Sequence, residues 1–451
     1  MSNQQTSERA IATLKPSWMR ESLRVSTDAK RVAYVTRVRR KWFRYREGRL
    51  YFLVFNYFVA VNDRVEGPYD YVADLKFSPN GQRVAFVARL DKKYVAVVDG
   101  MKGKEYDDLS TAPNFSPDSR REAYAARAGG AWLAVVDGKE SRPYSAVNGL
   151  TFSPDSHRVA YAAKAGDKEL IVIDDKDEQH HDFVADRSLT WSPDSQRFVY
   201  VAMDDGKQFV VVDGRPEQPV DGFGEGSLSF SPDSRRLAYE VQVGNKRAVV
   251  LDGKEGKRYH QTGVGSEQFS PNSERFAYAA TDGTDWFAVV DGKEGMRYDG
   301  IAGLIFSPDS NRLAYIAQRG GRWIVVVDDQ ESKPCDGFQY LSFSPDSQRF
   351  AFRAQLGKKQ CVVVDEKEGR HYDGVDKLTF SPDSRYLAHF AGLGGKYFVV
   401  VNGIEGTQVF DTRMDGTIAF DAGNRFHCLA GRRFDIYLIE GTAAGFSGSR
   451  S

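Results

Sequence analysis

Residues 304–328 read LIFSPDSNRLAYIAQRGGRWIVVVD, and this stretch decides the fold. Leu304-Ile305-Phe306 is a short apolar strand. Ser307-Pro308-Asp309-Ser310 is a tight turn, because proline presets φ and the Ser and Asp side chains bond the local backbone. Arg312-Leu313-Ala314-Tyr315-Ile316-Ala317 is a second strand, Gly320-Gly321 turns it, and the β-branched run Trp323-Ile324-Val325-Val326-Val327-Asp328 is a third. Lys333-Pro334-Cys335-Asp336 then fills a short fourth strand, which in the preceding copy is Met296-Arg297-Tyr298-Asp299. No segment between copies sustains a 3.6-residue period.

Outward from this stretch, the turn phrase recurs. It starts at Phe77, Phe115, Phe152, Trp191, Phe230, Phe269, Phe306, Phe343 and Phe380, at successive spacings of 38, 37, 39, 39, 39, 37, 37 and 37 residues. Degenerate copies at Val25 and Phe420 bring the count to eleven. Four short antiparallel strands in ~38 residues, repeated without linkers, describe a propeller blade, and the usual coils of a β-solenoid are shorter. The expected fold is therefore an all-β β-propeller of about eleven four-stranded antiparallel blades. Eleven exceeds the usual four to eight. One continuous ring is favoured because no break marks a boundary; two rings of five and six blades are the alternative. The repeat array is expected over 22–442. Residues 1–21 are an N-terminal segment in which 12–18 could close the last blade, and 443–451 are expected to be a flexible tail.

The repeated phrase resembles the TolB-type, WD-repeat-like β-propeller family, over roughly 23–442. The resemblance implies the fold and a general habit of binding proteins. TolB itself is a periplasmic translocation component. The first 25 residues of this chain carry no apolar h-region, so that cellular role is not carried over. TolB-like propellers also occur fused to serine peptidase domains, but the eleven units leave no residues for one.

The repeat contains an internal test. Arginine near the start of the second strand and aspartate at the end of the third are sixteen residues apart in eight copies: Arg83/Asp99, Arg121/Asp137, Arg158/Asp174, Arg197/Asp213, Arg236/Asp252, Arg275/Asp291, Arg312/Asp328 and Arg349/Asp365. A hairpin folded at the midpoint would set each pair opposite one another as a cross-strand ion pair. The copy with Tyr386 in place of arginine also has Asn402 in place of aspartate.

Composition narrows the function class. With 41% hydrophobic and 13% aromatic residues the chain can bury a large core and is not disordered. No apolar run reaches the length of a membrane span. Three cysteines, Cys335, Cys361 and Cys428, are too few for a disulfide framework and lack metal-ligand spacing, which suits a reducing cytoplasm. Lys+Arg and Asp+Glu both number 62, so no global field steers the protein toward nucleic acid or acidic lipid. No G-x-S-x-G, P-loop or H-E-x-x-H motif is present. No catalytic residue, metal ligand or cofactor is assigned. Adjacent strand residues face opposite ways, so His180 and His181 do not share a metal. His389 and Cys428 stand where other copies have Tyr and read as packing variants.

Two regions differ between copies, and a site that occurs once must use such residues. The crossing from the third-strand aspartate to the next blade's aromatic is 17 residues after Asp174, Asp213 and Asp252, against 15 after Asp137, Asp291, Asp328 and Asp365. The longer connections contribute Asp186, Arg187, Phe223, Glu225, His260 and Gln261. The first copy carries a fifteen-residue insertion in its second-to-third-strand hairpin. It holds Arg39, Arg40, Lys41, Trp42 and Tyr45, a basic and aromatic arm suited to a protein interface. The same interleaving would suit single-stranded nucleic acid, the weaker alternative. The expected function is a non-enzymatic binding scaffold with a protein partner; a propeller hydrolase or lyase with its site at a channel mouth is the rival.

Overall fold

The computed structural model describes residues 6–14, 17–39, 55–62, 64–263, 265–413, 418–421, 424–433 and 435–446. The chain is all-β, and its strands make eleven antiparallel sheets of the four-stranded blade type. Blades 1 to 11 occupy 24–69, 71–106, 108–140, 146–181, 183–216, 222–255, 261–294, 300–331, 337–368, 374–405 and 412–442. Within each sheet the strands lie in sequence order. In blade 11 the outermost place is taken by Thr6–Thr13, which pairs antiparallel with Asp435–Thr442. That strand overlaps residues 12–18 only at Ala12 and Thr13, which pair with Ile436 and Asp435, and Trp18 bridges Thr36 of blade 1. After the last strand, Ala443–Phe446 forms a 3-10 turn that seats Phe446 against Phe426, ring centroids 5.9 Å apart.

The chain divides into two compact units. The first holds residues 1–150, 388–390 and 394–451. Its cores form where consecutive sheets face each other: Tyr34 with Leu429 and Leu438, Val35 with Phe86, and Val87 with Tyr124. The second holds 151–387 and 391–393 and is built the same way, with Ile171 against Tyr200, Val210 against Tyr239, and Val325 against Phe352.

The repeated phrase serves two purposes at once. Within a blade, Ser307 Oγ donates to Asp309 Oδ1 at 2.5 Å and accepts the Arg312 amide at 2.9 Å, closing the turn. Between blades, the last serine of the phrase accepts the amide of the preceding blade's turn: Ser347 Oγ takes Asp309 N–H at 2.9 Å, and Ser310 Oγ takes Asn272 N–H at 2.9 Å.

All eight arginine–aspartate pairs form. Nε lies 2.7 to 3.1 Å from Oδ2 in seven of them, and 3.6 Å in Arg349–Asp365. The register differs by one from a midpoint fold. Asp328 stands opposite Leu313, not Arg312: its amide donates to the Leu313 carbonyl at 3.0 Å and its Oδ1 accepts the Leu313 amide at 3.1 Å. The aspartate sits at φ near +50°, a left-handed conformation that Asp and Asn tolerate better than most residues. The arginine therefore reaches diagonally, which leaves its other nitrogen free to cross to the next blade. Arg312 Nη1 donates to the carbonyls of Ser347 and Gln348 at 3.1 and 3.2 Å, and its guanidinium lies 5.2 Å from the Phe343 ring centroid.

Candidate functional site

The spacing difference between crossings has a structural meaning. Where the crossing is 15 residues, the first strand of the next blade is continuous over seven residues and absorbs a bulge, as in Gly300–Phe306 and Gly337–Phe343. Where it is 17, the first strand is cut in two. Blade 5 has Phe183–Val184 and Thr190–Trp191, blade 6 has Gly222–Phe223 and Ser229–Phe230, and blade 7 has Gln261–Thr262 and Gln268–Phe269. Three consecutive blades thus carry a loop at the same place.

Asp186 and Arg187 lie in the 3-10 turn Asp186–Ser188 of the first loop. Arg187 Nη1 is 3.6 Å from Glu225 Oε1 on the next loop, and both side chains are largely exposed. Phe223 is half-buried, packed near Tyr239 with centroids 6.3 Å apart. His260 and Gln261 are exposed at the entry to the third loop. His260 lies against the turn of blade 7, its ring 3.3 Å from where a Cβ on Gly283 would stand. The structure therefore joins Arg187 to Glu225 and sets the other four on the same three connections.

Beneath the second and third loops is a polar cluster that sequence reading missed. Glu240, fully buried, occupies the centre of the blade 6 second strand. Arg247 Nη1 and Thr262 Oγ1 both donate to its carboxylate. Ser227 Oγ accepts the Glu240 amide at 2.9 Å, and Gly224 lies so close that a Cβ there would stand 2.9 Å from the Glu240 Cβ. Glu267 ends the third loop, 5% exposed, and among the described residues neither carboxylate oxygen has a partner in hydrogen-bonding geometry. Burial, with the Glu240 charge adding to it, pushes the Glu267 carboxyl up to about 7. A second cluster surrounds Arg353 in blade 9, which donates to the Val375 carbonyl at 2.8 Å and stacks 5.3 Å from the Tyr340 ring centroid. Tyr340 in turn donates to Asp376, which is buried. The signal for both was present in the repeat. The position four after the second-strand arginine is Val87, Ala125, Ala162, Val201, Ala279 or Ile316 in other copies, and Glu240 or Arg353 here.

His181 and His389 are packed into the fold. His180 is exposed and His181 buried, as strand alternation requires. His181 Nδ1 lies 2.8 Å from Asp204 Oδ2 and Nε2 3.3 Å from the Tyr200 hydroxyl. His389 is buried, which pushes its imidazole down to about 3 and keeps it neutral. Among the described residues no three His, Cys, Asp or Glu side chains cluster as metal ligands. No described helix is long and apolar enough to cross a membrane.

The arm of blade 1 is seen at its base. Val32–Arg39 pairs with Phe55–Val61 through Arg39 opposite Phe55, and the Arg37 guanidinium stacks 4.7 Å from the Phe55 centroid. Arg40, Lys41, Trp42 and Tyr45 lie outside the described residues.

No protein-family model matches the chain, and no curated protein matches it. Among solved structures it is similar to an eukaryotic initiation factor (13% identity, 73% of this chain and 96% of that one, TM-score 0.40). It is similar also to the Dos1 propeller (12% identity, 63% and 89%, TM-score 0.33). TolB from Acinetobacter baumannii shares 18% identity over 45% of this chain and 58% of that one, TM-score 0.27. The repeat and the blades themselves carry the fold: the chain resembles the TolB-type, WD-repeat-like β-propellers.

Proposed function

We propose that the chain is a non-enzymatic binding scaffold and that the loops of blades 5 to 7 contact a protein partner. The observation that supports this is the run of three interrupted first strands on consecutive blades, with Arg187 and Glu225 paired across two of them. Identical turns elsewhere are consumed by blade-to-blade bonding. These loops, by contrast, present Asp186, Arg187, Phe223, Glu225, His260 and Gln261 to one side of three neighbouring sheets. The buried Glu240–Arg247–Thr262 bonds fix the loop bases, so binding orders little chain and loses little entropy. The blade 1 arm, with Arg39, Arg40, Lys41, Trp42 and Tyr45, is a second contact of the same scaffold, and the cytoplasm its compartment.

The test is affinity capture followed by reconstitution with the purified captured protein. Arg187→Glu with Glu225→Lys, and separately Gln261→Ala with His260→Ala, should each weaken the reconstituted complex at least ~10-fold, as loss of central interface contacts does. Retained affinity in both would reject the surface. A second reading rests on the two buried carboxylates: unlike environments at Glu240 and Glu267 are the pattern of an acid–base pair, which would make the loops of blades 6 and 7 an enzyme site. Glu267→Gln abolishing a turnover that Arg187→Glu leaves intact would favour it.

A further inference from the structure

The repeated ion pair is missing from blade 1, and a cleft opens there. It has a volume of about 810 Å³ and is lined by Arg9 of the strand that completes blade 11, by Lys30, Arg31, Asn62 and Arg64 of blade 1, and by Asp99 of blade 2. All of these belong to the first unit.

Arg31 holds the pose of Arg83, Arg236, Arg275 and Arg312. Its Nη1 donates to the carbonyls of Gly81, at 3.1 Å, and Gln82, just as Arg83 Nη1 donates to those of Ser119 and Arg120. Its guanidinium stacks 5.5 Å from the Phe77 centroid. The residue that would neutralise it is Asn62, which keeps the backbone half of the aspartate's role. Asn62 Oδ1 accepts the Val32 amide at 3.0 Å, and φ is +51°. Its amide nitrogen brings no charge.

Among the described residues Arg31 thus has no carboxylate partner in the position where eight other arginines are paired. Arg9 and Arg64 likewise have no carboxylate within ion-pair distance among the described residues. Two acids line the cleft, Asp99 and Glu66, and neither lies within ion-pair distance of Arg9, Arg31 or Arg64. Asp99 is held by Arg83 at 2.9 Å. Asp421 reaches Lys30 only at 3.8 Å. The carboxyl of Glu66, also on the cleft wall, is raised by burial and by Asp99, and the one cation that lowers it is Lys102, outside the cleft. Two further departures of the repeat meet here. Gly81 and Ala29 stand where other turns place the bridging serine, so the joints on both sides of blade 1 lack that hydrogen bond.

We propose that this cleft is a binding site for a diphosphate-bearing small molecule. Three guanidinium groups with no carboxylate partner among the described residues, and one loosely paired ammonium, offer the charge-assisted donors that phosphate oxygens take. The volume falls in the range of small-ligand sites. Ile11, Val61, Val65 and Val84 supply an apolar wall for whatever the diphosphate carries.

The experiment is isothermal titration of the full chain with inorganic pyrophosphate and with ADP, at low and at physiological salt. Both should bind, with affinity falling steeply as salt rises. Tighter binding of ADP would show that the apolar wall reads the organic part; equal affinities would limit the site to the diphosphate. The decisive variant is Asn62→Asp, which rebuilds the pair found in the other blades. It should hold or raise the melting temperature and weaken binding at least ~10-fold by neutralising Arg31. Arg9→Ala and Arg64→Ala should each weaken it several-fold, whereas Arg120→Ala, exposed on blade 3 outside the cleft, should not. Absence of binding by either probe at low salt, or unchanged affinity in Asn62→Asp, overturns the proposal.

Discussion

Truncating Arg312 to alanine separates two explanations for the recurring arginine. If its role is the ion pair with Asp328, the loss is small, since a pair with side chains 27% and 42% exposed contributes about 1 kcal/mol or less. The structure gives the arginine more to do. Two charge-assisted hydrogen bonds to the Ser347 and Gln348 carbonyls, discounted to ~1 kcal/mol each for partial exposure, and a stack on Phe343 of ~0.5–1 kcal/mol bring the expected cost of Arg312→Ala to about 3 kcal/mol. Asp328→Asn removes the charge but keeps Oδ1 as acceptor for the Leu313 amide, so it should cost about 1 kcal/mol. Repeat arrays of this length need not unfold in one step, so the assay is native-state hydrogen exchange on peptides covering the turn of blade 9. Arg312→Ala should speed exchange of the Ser347 amide, which donates to the Ser344 carbonyl, by ~100-fold; Asp328→Asn should speed it by no more than ~5-fold. Equal effects of the two would refute the claim that the arginine bonds blade to blade.

Glu267 predicts a pH dependence. Its carboxyl is raised from 4.5 to about 7 in the folded chain, so the folded state holds a proton that the unfolded state has released. The favourable contribution is complete below pH 4.5, is lost as pH climbs to about 7, and changes no further above that. The loss amounts to about 3 kcal/mol, and urea midpoints should show it flattened in Glu267→Gln, which should be the more stable variant at pH 8. Cys361, raised by burial to about 11, and the buried Cys428 should react with a thiol reagent only at the rate of unfolding; prompt modification of the native protein would contradict their packing. Ser347→Ala should cost about 1 kcal/mol, measured by thermal melting, because it leaves the Asp309 amide without its cross-blade acceptor.

The fold was legible because each blade repeats the same solution, so chance agreement at one copy is corrected by the next. The strand order, the turn at Ser307-Pro308-Asp309-Ser310 and the arginine–aspartate pairing all follow from local chemistry that a linear reading can weigh. What escaped was one residue of register. Spacing alone cannot tell whether Asp328 faces Arg312 or Leu313, because that depends on how many residues the hairpin turn consumes. The same limit hid the cross-blade bonds of Arg312 and Ser347, whose partners lie 35 and 38 residues away. The longer crossings were readable as lengths, but not as cuts in the first strand.

The charged exceptions show where repeat arithmetic reaches function and where it stops. An alignment of copies marks Glu240 and Arg353 as charges in an apolar column, and marks Asn62 as an amide in an acidic one. It does not tell which of these is answered within the fold. Glu240 is: Arg247 and Thr262 come to it from its own blade and the next, and the result is a rigid floor for two loops. Arg353 is answered by the Val375 carbonyl and the Tyr340 ring. Arg31 is answered only in part: the carbonyls of Gly81 and Gln82 and the Phe77 ring hold it, but its partner column has changed and no carboxylate among the described residues replaces it. A buried charge that the fold satisfies contributes shape; a charge left open at a cleft remains available to a ligand. The departures of one blade from its ten neighbours therefore carry different meanings, and the partner of each side chain decides which.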